Sequence, residues 1–171
     1  SAPGLGMDHP YYSPWYQWPV CQKPMWYYSS AKLSGTGSTI FAFGNPAVWW
    51  TGLAALLFIL CDALIKRMKA NRQNEPTERN VCALLVLVGF TAQYLPWVLV
   101  PRGTYIYHYF PSVPFLILAG ALLVGQWMEK YPKMGRRVAV CWMVLAFTLF
   151  IGFYPYVSGL RVPFVWLDMM R

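Results

Sequence analysis

Four long apolar segments limit what this chain can fold into more than any other feature. They cover about residues 47–65, 81–100, 107–127 and 138–156. Each approaches the roughly 20 residues that an α-helix needs to cross a hydrocarbon layer about 30 Å thick. None shows the charged stripe at helical spacing that a surface helix would have. Only 12% of the residues are charged, against about a quarter in soluble proteins, so we predict four membrane-spanning helices.

The predicted fold class is an all-α integral membrane protein in two parts. Residues 1–46 form an external, aromatic-rich irregular segment, and residues 47–171 form the region of four transmembrane helices. Proline interrupts the first part too often for a helix. Within it, residues 25–32 and 38–43 can pair as a small β-hairpin, because the first is rich in aromatic residues and the second is strand-like.

Local signals mark both ends of the first span. Asn45 is a good N-cap, and Pro46 suits the first helical position because its missing N–H has no intrahelical partner there. At the other end, Asp62 lies one turn before Lys66 and is predicted either to pair with it or to extend toward the interface as a snorkelling end residue.

Two basic loops predict the orientation in the membrane. Residues 66–79 carry five basic residues against two acids, and residues 129–137 carry four against one. By the positive-inside rule both loops are cytoplasmic, so the N-terminal segment and residues 102–111 are external or lumenal. We therefore expect a multi-pass protein of a bacterial plasma membrane or the endoplasmic reticulum. The net charge of +8 lies mostly in these loops and forms no nucleic-acid module, so no nucleic-acid partner is expected.

The sequence contains no complete catalytic pattern. It lacks the GxSxG, P-loop and HExxH motifs. Its four cysteines have neither metal-ligand nor disulfide spacing, so we expect no metal and interpret the cysteines as small buried hydrophobic residues. The chain starts without Met. We therefore expect it to be part of a longer protein, whose other residues carry the remaining chemistry.

The connection RGTYIYHYFP at residues 102–111 is the main candidate site. A charge at the edge of a span is costly unless it is paired or exposed, and it often marks a functional site. Arg102 offers a planar fork of donors that matches a phosphate, and Tyr105, His108 and Tyr109 add donors beside it. The group suits the phosphate of a lipid head. The alternative is an interfacial arginine within an aromatic belt.

The aromatic-rich segment also has two interpretations. Trp and Tyr suit a membrane interface, so the segment can simply lie on the lipid headgroups. It can also line an external site that stacks sugar or peptide on aromatic faces, with Trp15, Trp18 and Asn45 as lining residues.

Four motifs in order resemble the protein O-mannosyltransferases. They are SPWYQWP at 13–19, GNPAVWW at 44–50, RGTYIYHYFPSVPF at 102–115 and YPYVSGL at 154–160. Interleaved with four spans, they are similar to the C-terminal four-span region of that family. The match covers most of the chain.

The resemblance implies an inverting GT-C-type glycosyltransferase, which moves mannose from a polyprenyl or dolichyl phosphate to Ser or Thr of a secreted protein. The implied partners are membrane lipid, the lipid-linked donor and the protein acceptor, and no cofactor is implied. The family's base is an acidic residue of the first external loop, which lies outside this chain, so this part alone should be inactive. Arg102, Tyr105, His108 and Tyr109 would then help bind the lipid phosphate.

Two other interpretations stay open. The chain can be part of a related GT-C transferase that uses another lipid-phosphate sugar. It can also be a non-catalytic membrane scaffold subunit. The sequence makes no prediction of the oligomeric state.

Overall fold

The computed structural model describes residues 9–30, 35–69 and 78–168. Four long helices dominate this part of the chain. They are α1 Pro46–Lys69, α2 Glu78–Tyr94, α3 Val113–Lys130 and α4 Pro132–Ser158.

All four helices are long and apolar enough to cross a membrane, with mean hydropathies from 1.6 to 2.0. The span of α2 continues into a 3-10 helix, Leu95–Leu99, near whose start lies Pro96, a residue without an N–H to donate. Another 3-10 helix, Ile106–Ser112, leads into α3 and contains Pro111; a shorter one, Trp15–Gln17, lies in the N-terminal segment. The predicted all-α membrane fold with four spans is confirmed, and the chain is a multi-pass membrane protein.

Asn45 starts α1 as the sequence predicts. Its Oδ1 accepts a hydrogen bond from the Ala47 N–H at 3.0 Å, and its backbone oxygen accepts one from the Trp49 N–H at 2.9 Å. Its Nδ2 donates to the backbone oxygen of Ala146 in α4 at 2.8 Å. One side chain therefore both caps α1 and ties it to α4.

Helices α1 and α3 form the closely packed centre of the bundle. A Cβ added at Gly52 would lie 2.6 Å from Cβ and 2.7 Å from the backbone oxygen of Leu116, a residue that is fully buried. Small residues allow such backbone approach between membrane helices. By contrast, only 6% of the apolar stretch of α4 is buried, so most of the surface of this helix faces outward.

The predicted pairing in the N-terminal segment is confirmed. Strand β1, Met25–Ser29, pairs antiparallel with a strand at Thr39–Ala42, with Ser29 opposite Thr39. The register shifts between Trp26 and Tyr28. Residues 31–34, which include the end of the first predicted strand, lie outside the described residues.

A second strand pair, which the sequence does not predict, joins the segments on either side of the four spans. Strand β2, Thr36–Gly37, pairs antiparallel with β4, Val162–Pro163. The strand at Thr39–Ala42, which pairs with β1, is β3. Gly159 ends α4 with φ +73°, a left-handed conformation that glycine adopts without strain. The short helix α5, Phe164–Asp168, follows β4.

Two further sequence predictions concern an ion pair at the end of α1 and the burial of the four cysteines. Lys66 and Asp62 form the predicted ion pair, with 2.6 Å between Nζ and Oδ2. All four cysteines are free; Cys21 is partly buried, and the prediction of burial is wrong for the other three. Cys61, Cys82 and Cys141 are exposed because they lie on helix faces that point away from the bundle interior.

Candidate functional site

Hydrogen bonds fix the connection that carries Arg102 against the N-terminal segment. The Ser13 N–H donates to the backbone oxygen of Thr104 at 3.0 Å, and the Thr104 hydroxyl donates to the backbone oxygen of Ser13 at 2.9 Å. Ser13 also accepts from Nε1 of Trp18, through its backbone oxygen and its hydroxyl, at 3.0 Å each. All three residues are buried. The first and third sequence motifs therefore form one structural unit.

The turn after Arg102 is closed by a bond between Tyr105 and His108. Tyr105 precedes the 3-10 helix in an extended conformation, and its N–H donates to Nδ1 of His108 at 3.1 Å. The His108 N–H donates to the backbone oxygen of Tyr105 at 3.0 Å. Nδ1 of His108 also lies 3.0 Å from the backbone oxygen of Tyr105, so the Tyr105 backbone engages Nδ1 whichever ring nitrogen carries the proton. Nε2 is thus the nitrogen left free to contact a ligand.

Aromatic side chains hold the His108 ring on several sides. Its centroid lies 4.2 Å from that of Trp97 and 4.3 Å from that of Tyr107. Trp18 stacks at 6.0 Å with an interplanar angle of 27°. Such contacts restrict the ring to one orientation, so the direction of Nε2 is set by the protein before a ligand binds.

The three-residue period of the 3-10 helix separates the tyrosines of this motif. Ile106, Tyr109 and Ser112 recur at that spacing and are all buried, since residues i and i+3 share one face. Tyr105 and His108 share another face and are partly exposed. The motif therefore presents one face to the core and another to the surface.

Tyr109 lies in the core, although its sequence position suggests a donor beside Arg102. Its side chain is 0% exposed, and its ring packs against those of Trp49 at 5.0 Å and Tyr94 at 5.4 Å. Its hydroxyl is buried without a hydrogen-bond partner among the described residues. Tyr109 thus forms the floor of the site and joins the second sequence motif, through Trp49, to the third.

Arg102 is exposed at the surface of this unit. It lies close enough to His108 for an electrostatic interaction. Neither of the ion pairs formed in the described ranges involves it. An unpaired guanidinium next to an oriented imidazole is able to bind an anion, and a phosphate in particular.

The three residues predicted to line an external site have different surroundings. Trp18 is fully buried and acts as a wall behind His108. Trp15 is partly exposed, and its backbone oxygen accepts from the Tyr94 hydroxyl at 3.0 Å. Asn45 uses both ends of its side chain within the fold. Of the three, Trp15 keeps the most freedom to contact a ligand.

An apolar groove of about 410 Å³ begins at Phe110, in the same 3-10 helix as His108. Its walls come from the segment before α1, from the first turn of α1 and from the start of α3. The lining residues are Phe43, Gly44, Asn45, Val48, Trp49, Phe110, Val113, Pro114 and Ile117. The groove suits an alkyl or isoprenoid chain.

Sequence reasoning missed two aromatic neighbours of the site. Trp97 contacts His108 most closely, and its place after Pro96 at the end of a span was the available signal. His9 lies edge-on to Tyr105 at 5.4 Å, which no local pattern predicts. No cluster of three or more His, Cys, Asp or Glu side chains that could hold a metal occurs in the part of the chain that the structure describes.

Comparison of the sequence with known families gives one match over nearly the whole chain. The family model described as the C-terminal four-transmembrane region of protein O-mannosyltransferase matches residues 1–167.

Individual relatives agree with this match. The chain is 29% identical to a polyprenol-phosphate-mannose–protein mannosyltransferase of Corynebacterium glutamicum, over 92% of this chain and 30% of the relative. It is 25% identical to dolichyl-phosphate-mannose–protein mannosyltransferase 5 of Candida albicans, over 92% of this chain and 23% of the relative. The chain therefore spans less than a third of the length of these relatives.

The fold is similar to that of a solved structure. This is the Saccharomyces cerevisiae protein O-mannosyltransferase Pmt1–Pmt2 complex bound to the sugar donor, with a TM-score of 0.70 and 23% identity. The similarity covers 88% of this chain and 21% of the matched chain.

Proposed function

Because the chain belongs to the protein O-mannosyltransferase family, as its C-terminal four-transmembrane region, we propose that it is the membrane portion of a glycosyltransferase. The enzyme moves mannose from a polyprenyl or dolichyl phosphate to Ser or Thr of secreted proteins. This portion binds the lipid phosphate and shapes the site. The acidic base lies in the rest of the enzyme.

One observation carries this proposal: the unpaired Arg102 lies beside a His108 ring whose Nε2 is the nitrogen left free to contact a ligand. The Tyr105 backbone engages Nδ1, and Trp97 and Tyr107 fix the ring plane. Both polar groups are accessible at the end of a membrane span, where the phosphate of a membrane lipid lies.

The chemistry of mannose transfer explains what these donors do. When the bond between the anomeric carbon and the phosphate oxygen breaks, negative charge grows on the lipid phosphate. Donors already aimed at that phosphate stabilise the transition state without reorganising, and loss of one such donor typically costs about 100- to 1,000-fold in rate. Arg102 supplies a full charge and His108 a directed hydrogen bond.

The apolar groove beside the site supports a lipid-linked donor over a soluble nucleotide sugar. It begins at Phe110 and continues along α3 to Ile117. A polyprenyl chain placed there would leave its phosphate near the 3-10 helix of His108. A soluble donor has no chain to fill the groove.

The proposed orientation places this site on the external or lumenal side. The two basic loops are then cytoplasmic by the positive-inside rule. Acceptor proteins are on the same side as Arg102 after their export, which agrees with transfer to secreted proteins.

The whole enzyme that contains this chain tests the proposal through Arg102→Ala and Arg102→Lys. Transfer of mannose from the lipid donor to a Ser/Thr peptide should fall about 100-fold or more with Arg102→Ala. Arg102→Lys should retain part of the activity, because it keeps the charge and loses the fork. Protein level and membrane insertion are measured in parallel.

Arg161→Ala is the matched control, since Arg161 is also exposed and lies on the same proposed side, next to β4. It should transfer mannose at the wild-type rate. Unchanged transfer by Arg102→Ala would refute the phosphate-contact role.

A further inference from the structure

The end of the bundle that carries the basic loops contains a polar cavity. Its volume is about 440 Å³, within the range of roughly 300–1,000 Å³ usual for ligand sites. Four of its lining residues have polar side chains, from the start of α2 and the end of α3, and two are aromatic. They are Arg79, Gln126, Glu129, Lys130, Phe58 and Trp127.

An apolar cavity of about 410 Å³ adjoins it between α1, α3 and α4. Phe58 and Trp127 line both cavities, so a ligand that passes these two rings contacts a polar region and an apolar region at once. Small residues on two helices leave space for this apolar cavity. They are Ala54 and Ala55 on α1 and Gly120 on α3.

Two polar groups of this apolar cavity have partners in the protein. Nε1 of Trp142 donates to the backbone oxygen of Ala47 at 2.8 Å, which holds the indole as a fixed wall. The Thr51 hydroxyl donates to the same backbone oxygen, one turn back in α1. The cavity therefore presents hydrocarbon and indole surface and suits an alkyl chain better than water.

The charges in the polar cavity favour an anion. Nη1 of Arg79 is 3.4 Å from Oε2 of Glu129, and both side chains are largely exposed, at 48% and 74%. An exposed pair at this distance is weak, so Arg79 can turn to a stronger acceptor. Lys130 adds a second cation, 5.3 Å above the Tyr131 ring. Two cations against one carboxylate leave the cavity net positive.

We propose that these adjoining cavities bind an anionic glycerophospholipid from the leaflet at the basic end of the bundle. Its phosphate contacts Arg79 and Lys130, and one acyl chain passes Phe58 and Trp127 into the cavity between α1, α3 and α4. Basic pockets between membrane helices bind anionic headgroups in this way. The site lies at the opposite end of the spans from Arg102 and is independent of the proposed sugar transfer.

Native mass spectrometry of the whole protein, released from detergent micelles, tests the proposal. The protein is equilibrated with equal amounts of dioleoyl phosphatidylglycerol and dioleoyl phosphatidylcholine. The wild type should retain phosphatidylglycerol about tenfold better than phosphatidylcholine, as expected for two cations near a lipid phosphate. Equal retention of both lipids would overturn the proposal.

Two variants separate the contributions of headgroup and chain. Arg79→Gln combined with Lys130→Gln should abolish the preference for phosphatidylglycerol. Ala54→Trp fills the apolar cavity and should lower retention of both lipids. If the preference survives the first variant, or retention survives the second, the lipid does not lie where we place it.

Matched controls change the same side-chain types outside the cavities. Lys133→Gln combined with Arg136→Gln removes two charges at the same end, and Ala121→Trp adds an indole at an exposed position of α3. Both should bind lipid as the wild type does. Equal losses in the controls would indicate diffuse charge attraction and overturn the specific site. A photocrosslinker placed at position 54 should capture lipid. Capture of another segment of the protein in its place would also overturn the proposal.

Discussion

The backbone N–H of Tyr105 donates to Nδ1 of His108 over 3.1 Å. Nδ1 also lies 3.0 Å from the Tyr105 backbone oxygen, so the Tyr105 backbone engages Nδ1 and leaves Nε2 free. A two-residue contact within one turn therefore controls the chemistry that the site can offer.

Amide substitutions at His108 distinguish its two nitrogens. In His108→Gln the amide reaches the Nε2 position, whereas in His108→Asn it reaches the Nδ1 position. We expect mannose transfer by the whole enzyme to fall about 100-fold in the Asn variant and clearly less in the Gln variant. Values of kcat and KM for the lipid donor provide the measurement. Higher activity in the Asn variant would contradict donation from Nε2.

Trp18→Phe should loosen the junction between the N-terminal segment and the Arg102 connection. The change removes the indole N–H from Ser13 and leaves a buried hydroxyl without this donor, at a cost of about 1–3 kcal/mol. Thermal unfolding in detergent should show a lower midpoint. Tyr16→Phe is the control, since Tyr16 is 59% exposed, and it should unfold as the wild type does.

Gly52→Ala should destabilise the contact between α1 and α3. The new Cβ would meet the backbone oxygen of Leu116 at 2.7 Å, and relief requires the helices to separate, at about 1–3 kcal/mol. Gly125→Ala is the matched change, because a Cβ there meets nothing within 4 Å, and it should be neutral or stabilising by up to about 1 kcal/mol. Similar loss in both variants would show that the close approach is unimportant.

Cys21 should react slowly with thiol reagents. Burial raises the pKa of the Cys21 thiol, and a hydrogen bond with the Gly44 backbone offsets this only in part. Because the thiolate is the nucleophile, the alkylation rate at a given pH is lowered and its rise is displaced to higher pH. The test compares proteins whose single cysteine is Cys21 or a cysteine replacing Val20, which is 53% exposed. Equal pH profiles would contradict the burial effect.

Cysteine labelling tests the proposed orientation in intact cells. In a background without other cysteines, Ser29→Cys should react with a membrane-impermeant maleimide from outside. Lys133→Cys should react only after permeabilisation. Both positions are exposed, so accessibility differs only through the membrane, and the reverse pattern would invert the topology.

Hydropathy and local capping rules predicted the spans and their ends because these depend on neighbouring residues. The apolar length of each span, the Asn45 cap and the pairing of Asp62 with Lys66 all lie within one helix or its first turn. Such features need no knowledge of the tertiary structure.

The burial of Tyr109 could not be predicted in the same way. In a run of Tyr, Ile, His and Phe, every side chain suits an interface, and only the three-residue period of a 3-10 helix separates the buried face from the exposed one. No local pattern in the sequence indicates that this segment forms a 3-10 helix. The pairing of β2 with β4 was equally hidden, because each strand has two residues and more than 120 residues separate them.

The same strand pair has a consequence for how the protein is made. Strand β2 precedes all four spans, whereas β4 follows them, and the Phe164 N–H donates to the backbone oxygen of Gly35. During synthesis this pairing therefore forms only after the fourth helix and the residues that follow it have been made. The N-terminal segment thus completes its fold only after all four of these helices have been made.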